Sequence, residues 1–308
     1  MITGKDRIQG MILVLSASMC WGTTGTLQAL APAGAPPLTV GAIRILLSGV
    51  ILLAWCGWKN RGFDFLRRVK PFALLIGVTG MMGFQFSFFT ALRLTGVSIG
   101  TMIAIGASPI AAGALGALAE REPLSPRWAL STGVAILGCA LLVLGGSSGN
   151  ISLHWGGVGL AFFAAFCYAF MGLGLKQQGT VLPATEATAV TTGAAIAVGL
   201  PVLLLLDSSW IFSPRGAVIA FSLGFATMAF PMSLFAFGLK KIFLRDAYTI
   251  SLAEPLTACI LSAVVLGERL SAVSLAGAGL IFLGILLLPA SEEKENGSDS
   301  AGDTCKGE

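Results

Sequence analysis

The sequence predicts an all-α polytopic membrane protein: ten transmembrane helices arranged as two inverted five-helix repeats, with the N- and C-termini cytoplasmic. Three observations lead there: the composition, the spacing of apolar runs, and a pattern that is written twice. Apolar residues make up 55% of the 308 residues, charged residues only 11%, and mean hydropathy is +0.86. A soluble chain carries roughly 25% charged residues, and a soluble domain of this length could not bury so much apolar sequence. The 40 glycines suit helices packed closely in lipid.

A bilayer core about 30 Å thick asks for about 20 apolar residues per helix. The runs that meet this are 9–30, 38–58, 71–92, 97–118, 127–146, 156–175, 186–206, 216–238, 246–266 and 272–289. Breaks between them carry Pro, Gly or charge, as in "APAGAPP", "KNRGFDFLRRVKP", "EREPLSPR" and "GGSSGNIS". The expected units are 1–149 (spans 1–5), 150–290 (spans 6–10) and a polar, disordered cytoplasmic tail at 291–308. Lys5, Arg7 and the "ALA" at 29–31 resemble a signal peptide. Pro32 directly after that site disfavours cleavage, so the first run is kept as a span.

Lysines and arginines set the orientation. With the N-terminus inside, inner segments hold fifteen of them, whereas outer loops hold Arg93, Arg215 and Arg269, and Arg44 lies within a span.

The repeat is read directly. "REPLSPRWALSTGVAILGCALLV" (121–143) and "LGERLSAVSLAGAGLIFLGILLL" (266–288) share a skeleton at an offset of 146, which matches Glu122 to Glu268, Ser125 to Ser271, Gly138 to Gly284 and, upstream, Pro109 to Pro255. "GMILVLSASMCW" (10–21) matches "GGVGLAFFAAFCY" (156–168) at an offset of 147, placing Trp21 on Tyr168. Five spans per copy is an odd number, so the second copy enters the membrane from the opposite side. The charges agree: the loop after span 2 carries five Lys/Arg, while its counterpart after span 7 carries only Arg215. Halves related in this way can exchange conformations around a site near the midplane, which points to a transporter.

Several motifs also resemble a known family. "ASPIAAGALGALAEREPLS" followed by "GVAILG", and "LAEPLTACILSAVVLGERLSAVSLAGAGLIFLG", are similar to the two halves of EamA-type drug/metabolite transporters. "CWGTTG" in span 1, and Arg44 shortly after "PPLT", resemble further marks of that family. The resemblance covers about residues 10–289. It implies ten helices, both termini inside and export of small metabolites, notably amino acids, as in the YddG-like exporters. It also implies no cofactor, and a path surrounded by spans 1, 3, 4, 6, 8 and 9.

An ionisable residue inside the bilayer is a functional candidate by default. Glu254 lies about 12 Å into span 9, near the midplane. It reads as a cavity carboxylate for a substrate ammonium or a proton, or as a structural group at the bend made by Pro255. Arg44 reads mainly as an anchor that snorkels to the outer surface, or as a group paired with others on the outer side, with recognition of a substrate carboxylate as the other reading. Trp21 and Thr24 share a face of span 1, Gln85 and Phe89 a face of span 3, and Tyr248 shares a face with Glu254. Together with Tyr168, which mirrors Trp21, and Ser108, the repeat partner of Glu254, these form the expected substrate-binding set. Pro109, Pro231 and Pro255 are expected bends. Glu122 and Glu268 are expected to favour the helices that follow them through the dipole, with Ser125 and Ser271 as N-caps.

The chain has one histidine, His154, and no HExxH, GxSxG or GxxxxGK[ST], so an intramembrane enzyme is not expected. Cys20, Cys56, Cys139, Cys167 and Cys259 sit singly in apolar runs and read as small hydrophobes, so neither metal nor disulfides are expected. Arg44 as the sole intramembrane cation disfavours phosphorylated sugars. Lipophilic cations compete with zwitterionic amino acids as substrate. The expected partners are a small-molecule substrate and the bilayer of the bacterial inner membrane, with no nucleic acid and no cofactor.

Overall fold

The computed structural model describes residues 4–32, 35–146, 154–266 and 271–288. Glu268 and the 291–308 tail, expected to be disordered, lie outside the described residues. In chain order the helices are α1 (Gly4–Gly22), α2 (Thr24–Ala29), α3 (Pro37–Lys59), α4 (Pro71–Thr95), α5 (Val97–Gly106), α6 (Ser108–Ala119) and α7 (Pro126–Gly145). There follow α8 (Trp155–Gln178), α9 (Ala184–Leu205), α10 (Pro214–Gly224), α11 (Phe230–Leu239), α12 (Leu244–Ser251), α13 (Ala253–Leu266) and α14 (Ala272–Leu287). Nine helical spans among the described residues are long and apolar enough to cross a membrane, and α14 is a further apolar helix of 16 residues.

Local chemistry sets many of the boundaries. Proline stands in the first turn of α3, α4, α6, α7, α10 and α11. At the free starts of α3, α4, α7 and α10 its missing N–H costs nothing and its fixed φ suits the helix. Ser125 accepts from the Trp128 amide (3.2 Å) and Ser271 from the Ser274 amide (3.0 Å), so both serve as N-caps. His154 caps α8 by accepting from the Gly157 amide at 3.2 Å. The end of α6 is different. Arg121 takes a left-handed φ of 54°, and the Glu122 amide returns to the Gly116 carbonyl at 3.0 Å. That closure, usually built with glycine, turns Glu122 back into the protein.

The most extensive helix pairs are α4 with α8, α7 with α14, α3 with α9 and α1 with α11. The first seam depends on missing side chains. A Cβ on Gly80 would collide with the backbone of Met171, and one on Gly174 with the backbone of Gly77. Because backbone cannot move aside as a side-chain tip can, small residues are what let these axes approach.

Several spans change helical geometry partway along. α1 gives way to α2 at Thr23, α5 to α6 at Ala107 and α12 to α13 at Leu252, and a π-helical turn at Phe225–Ala229 separates α10 from α11. Three of these sites lie just before a proline, namely Pro109, Pro231 and Pro255. A proline within a continuous span cannot donate to the carbonyl four residues earlier. For Pro109 that carbonyl is Ile105, and the Ser108 hydroxyl donates to it instead at 2.7 Å. For Pro231 it is Thr227, whose partner lies on another helix.

Candidate functional site: a cavity at the helix breaks

The geometry changes converge on one cavity of about 410 Å3, within the range of small-molecule sites. Trp21, Thr24 and Gln28 line it from α1 and α2, and Arg44 from α3. Gln85, Phe88 and Phe89 come from α4, Tyr168 and Met171 from α8, and Glu254 and Pro255 from α13. Met228 of the π-helical turn and Met232 of α11 complete much of the apolar wall.

Three polar side chains stand out in this apolar enclosure. Arg44 is buried at 8% exposure, and its Nη2 donates to the Thr227 carbonyl at 3.0 Å. That is the carbonyl Pro231 leaves without its helical donor. The Nε of Arg44 is buried without a hydrogen-bond partner. Gln85 is buried beside Gly41, and a Cβ on that glycine would stand 3.5 Å from the Gln85 amide nitrogen. Glu254 is half-buried, and its carboxylate makes no hydrogen bond and no ion pair among the described residues. Arg44 and Glu254 feel each other's charge but are not within ion-pair distance. The cavity therefore holds two opposite charges whose bonding capacity is largely unspent.

The cavity reaches toward one face of the bundle. Gln28, Leu92 and Gly146 lie near the ends of their helices there, at the face opposite the start of α1. Toward the other face, where the chain begins, aromatic rings close it. Trp21 meets Tyr168 (centroids 6.1 Å apart) and Phe235 (5.2 Å), and Tyr248 meets Tyr168 (4.6 Å) and Phe235 (5.6 Å). The Tyr248 hydroxyl donates to the Tyr168 carbonyl, tying α12 to α8.

Below this plug lies a network of charges. Glu122 pairs with Lys176, and its carboxylate also accepts from the amides of Leu244 (2.8 Å) and Arg245 (3.5 Å). Arg7 pairs with Asp246 at 2.8 Å, and Lys241 with Asp6 at 2.7 Å. Arg245 is fully buried over the rings of Phe243 (4.8 Å) and Trp128 (5.7 Å). Every ion pair among the described residues lies at this face.

The structure thus gathers Trp21, Thr24, Gln85, Phe89, Tyr168 and Glu254 around one cavity. Ser108 and Tyr248, expected beside them, are not in its wall. The first is occupied by the Ile105 carbonyl and the second by the aromatic plug. Arg44 does not snorkel outward, because the orphaned Thr227 carbonyl holds it inside. Glu122 serves the N-terminus of α12, more than a hundred residues away in sequence, rather than the helix that follows it. Arg7, Lys176 and Asp246 carried no sequence signal beyond their sign. The signal that could have located the partner of Arg44 was Pro231, which marks Thr227 as an unsatisfied carbonyl.

Comparison with known proteins places the whole chain. The model of the EamA-like transporter family matches residues 8–144 and 155–289. The chain belongs to the EamA-like transporter family. It is 37% identical over 291 residues to the uncharacterized transporter YwfM of Bacillus subtilis (strain 168), covering 94% of this chain and 97% of that one. It is 27% identical over 303 residues to the uncharacterized inner membrane transporter YicL of Salmonella typhimurium (strain LT2), covering 92% and 96%. A solved crystal structure shares the fold, with a TM-score of 0.78 over 90% of this chain and 95% of that one, at 20% identity. This EamA-like protein is accordingly a multi-pass membrane transporter.

Proposed function

We propose that this EamA-like protein exports neutral and aromatic amino acids across the bacterial inner membrane, by alternating access between two inverted five-helix repeats. The observation that carries the reading is the cavity: it has apolar and aromatic walls, one cation, one carboxylate and one buried amide. A phosphorylated ligand would want several cations. A zwitterion with an apolar side chain needs what is present.

The repeat is supported by how the helices pair. A shift of five spans carries the α4–α8 pair onto the α10/α11–α1 pair, and returns α3–α9 and α7–α14 to themselves. Two-fold packing of this kind is what two similar halves around a midplane site produce. The bias of Lys and Arg supports a cytoplasmic position for the face with the ion pairs. The cavity then faces outward, with the aromatic plug and the charge network closing the inner side. Opening inward requires those contacts to separate.

Counterflow in proteoliposomes tests the proposal, using labelled amino acids and, as a lipophilic cation, tetraphenylphosphonium. Exchange of aromatic or other neutral amino acids supports it. Exchange of the cation alone would favour the second reading, in which Glu254 and the surrounding rings hold a cationic drug. Arg44 in the same wall weighs against that reading.

A further inference from the structure

We infer that Arg44 is the residue that reads a substrate carboxylate, so that the cavity selects ligands carrying a carboxylate and an ammonium together. The inference rests on the cavity being the transport site, as proposed above, and deepens it by assigning the poles.

Pro231 withholds a donor from the Thr227 carbonyl, and Arg44 Nη2 supplies one at 3.0 Å. The π-helical turn at Phe225–Ala229 sits at this point, and such turns gather at functional sites. One edge of the guanidinium is thereby fixed to the backbone of a neighbouring span, which orients the planar group before any ligand arrives. Arg44 itself lines the cavity, and its Nε is buried without a hydrogen-bond partner. A buried donor left unmade is costly, and a carboxylate is the group whose geometry matches what remains of the fork.

The opposite pole is Glu254, in the same wall, with no hydrogen bond or ion pair among the described residues. It is close enough to feel Arg44, yet the two do not close on each other. A ligand between them would meet a cation on one side and a carboxylate on the other. Gln85, whose amide packs against Gly41 of the helix that carries Arg44, adds a neutral donor and acceptor to the same cavity wall. A simple amine leaves Arg44 unsatisfied, and a simple acid leaves Glu254 unsatisfied. Selectivity therefore comes from the penalty each one-pole ligand incurs.

The test is ligand-induced thermal stabilisation of the purified full chain in detergent, with phenylalanine, phenylalaninamide and 3-phenylpropionate as ligands. The wild type is expected to bind phenylalanine about ten-fold more tightly than either analogue, the difference one charge-assisted hydrogen bond provides. In Arg44→Gln the preference for phenylalanine over its amide should disappear, while in Arg44→Lys part of it should return. Equal binding of all three ligands by the wild type, or no binding of phenylalanine, overturns the assignment without any variant being needed. Arg44→Gln that keeps the full preference for the carboxylate overturns it too. Counterflow of amino acids by the wild type stands or falls separately. Its success beside an unchanged Arg44→Gln profile would leave the transport reading intact and this inference refuted.

Discussion

Glu122 and Glu254 are both carboxylates within the helical bundle, and they occur at opposite extremes of satisfaction. Glu122, 5% exposed, accepts from Lys176 and from the first amides of α12, so its charge is answered by a cation and by a helix N-terminus. Glu254 stands in the cavity wall with none of its acceptor positions filled by the described residues. Removing water from a charge costs several kcal/mol unless partners replace it. The first glutamate has those partners in this conformation. The second has none among the described residues, which is what the proposed substrate-binding role requires.

The largest effect expected from breaking this contrast is at Glu122. Glu122→Ala leaves Lys176 facing a hole and strips the α12 amides of their acceptor. Breaking one partner of a buried pair costs about 3–5 kcal/mol, so the unliganded protein should melt at a much lower temperature in detergent. Glu254→Gln, measured the same way, should change stability by less than about 1 kcal/mol, because no protein contact is lost. Equal losses from the two substitutions would erase the distinction.

An intermediate effect is expected at the aromatic plug. A Cβ on Gly172 would come within 2.5 Å of the Tyr248 hydroxyl, displacing the ring from the Tyr168 carbonyl. Overpacking of this kind costs about 1–3 kcal/mol, and Gly172→Ala should show it as a lowered melting temperature. Gly25 at the cavity has nothing within 4 Å of its would-be Cβ. Gly25→Ala should be neutral or stabilising by up to about 1 kcal/mol. A neutral Gly172→Ala would mean that the plug is looser than its geometry.

The smallest effect belongs to the rim of the charge network. The Lys241 and Asp6 side chains are 27% and 45% exposed. Exposed pairs contribute about 0–1 kcal/mol, so Lys241→Ala should lower stability by no more than that, with a response that weakens as salt is added. A loss as large as that of Glu122→Ala would extend the buried network to the surface.

Some of this was legible in the chain. Apolar runs separated by Pro, Gly and charge foretold the helices, and the serines of "PLSP" and "RLSA" foretold two caps, since both signals are local. Glu254 was legible as unusual because a carboxylate in an apolar run is unusual in any fold. Arg44 was misread as a snorkelling anchor because its direction depends on the Thr227 carbonyl, 183 residues away. Tyr248 and Ser108 shared faces with plausible cavity residues, yet spans that are apolar all round leave helical periodicity unable to distinguish cavity, plug and lipid.

By itself, the sequence determined that this chain is helical and crosses a membrane, and it marked with proline three of the four breaks within spans. Those outcomes follow from local sterics, capping and the transfer of apolar residues out of water. Only the tertiary structure decided which charges are answered and which are left open. An ion pair or an orphaned carbonyl becomes a site through contacts between helices far apart in the chain, and no local pattern encodes those contacts.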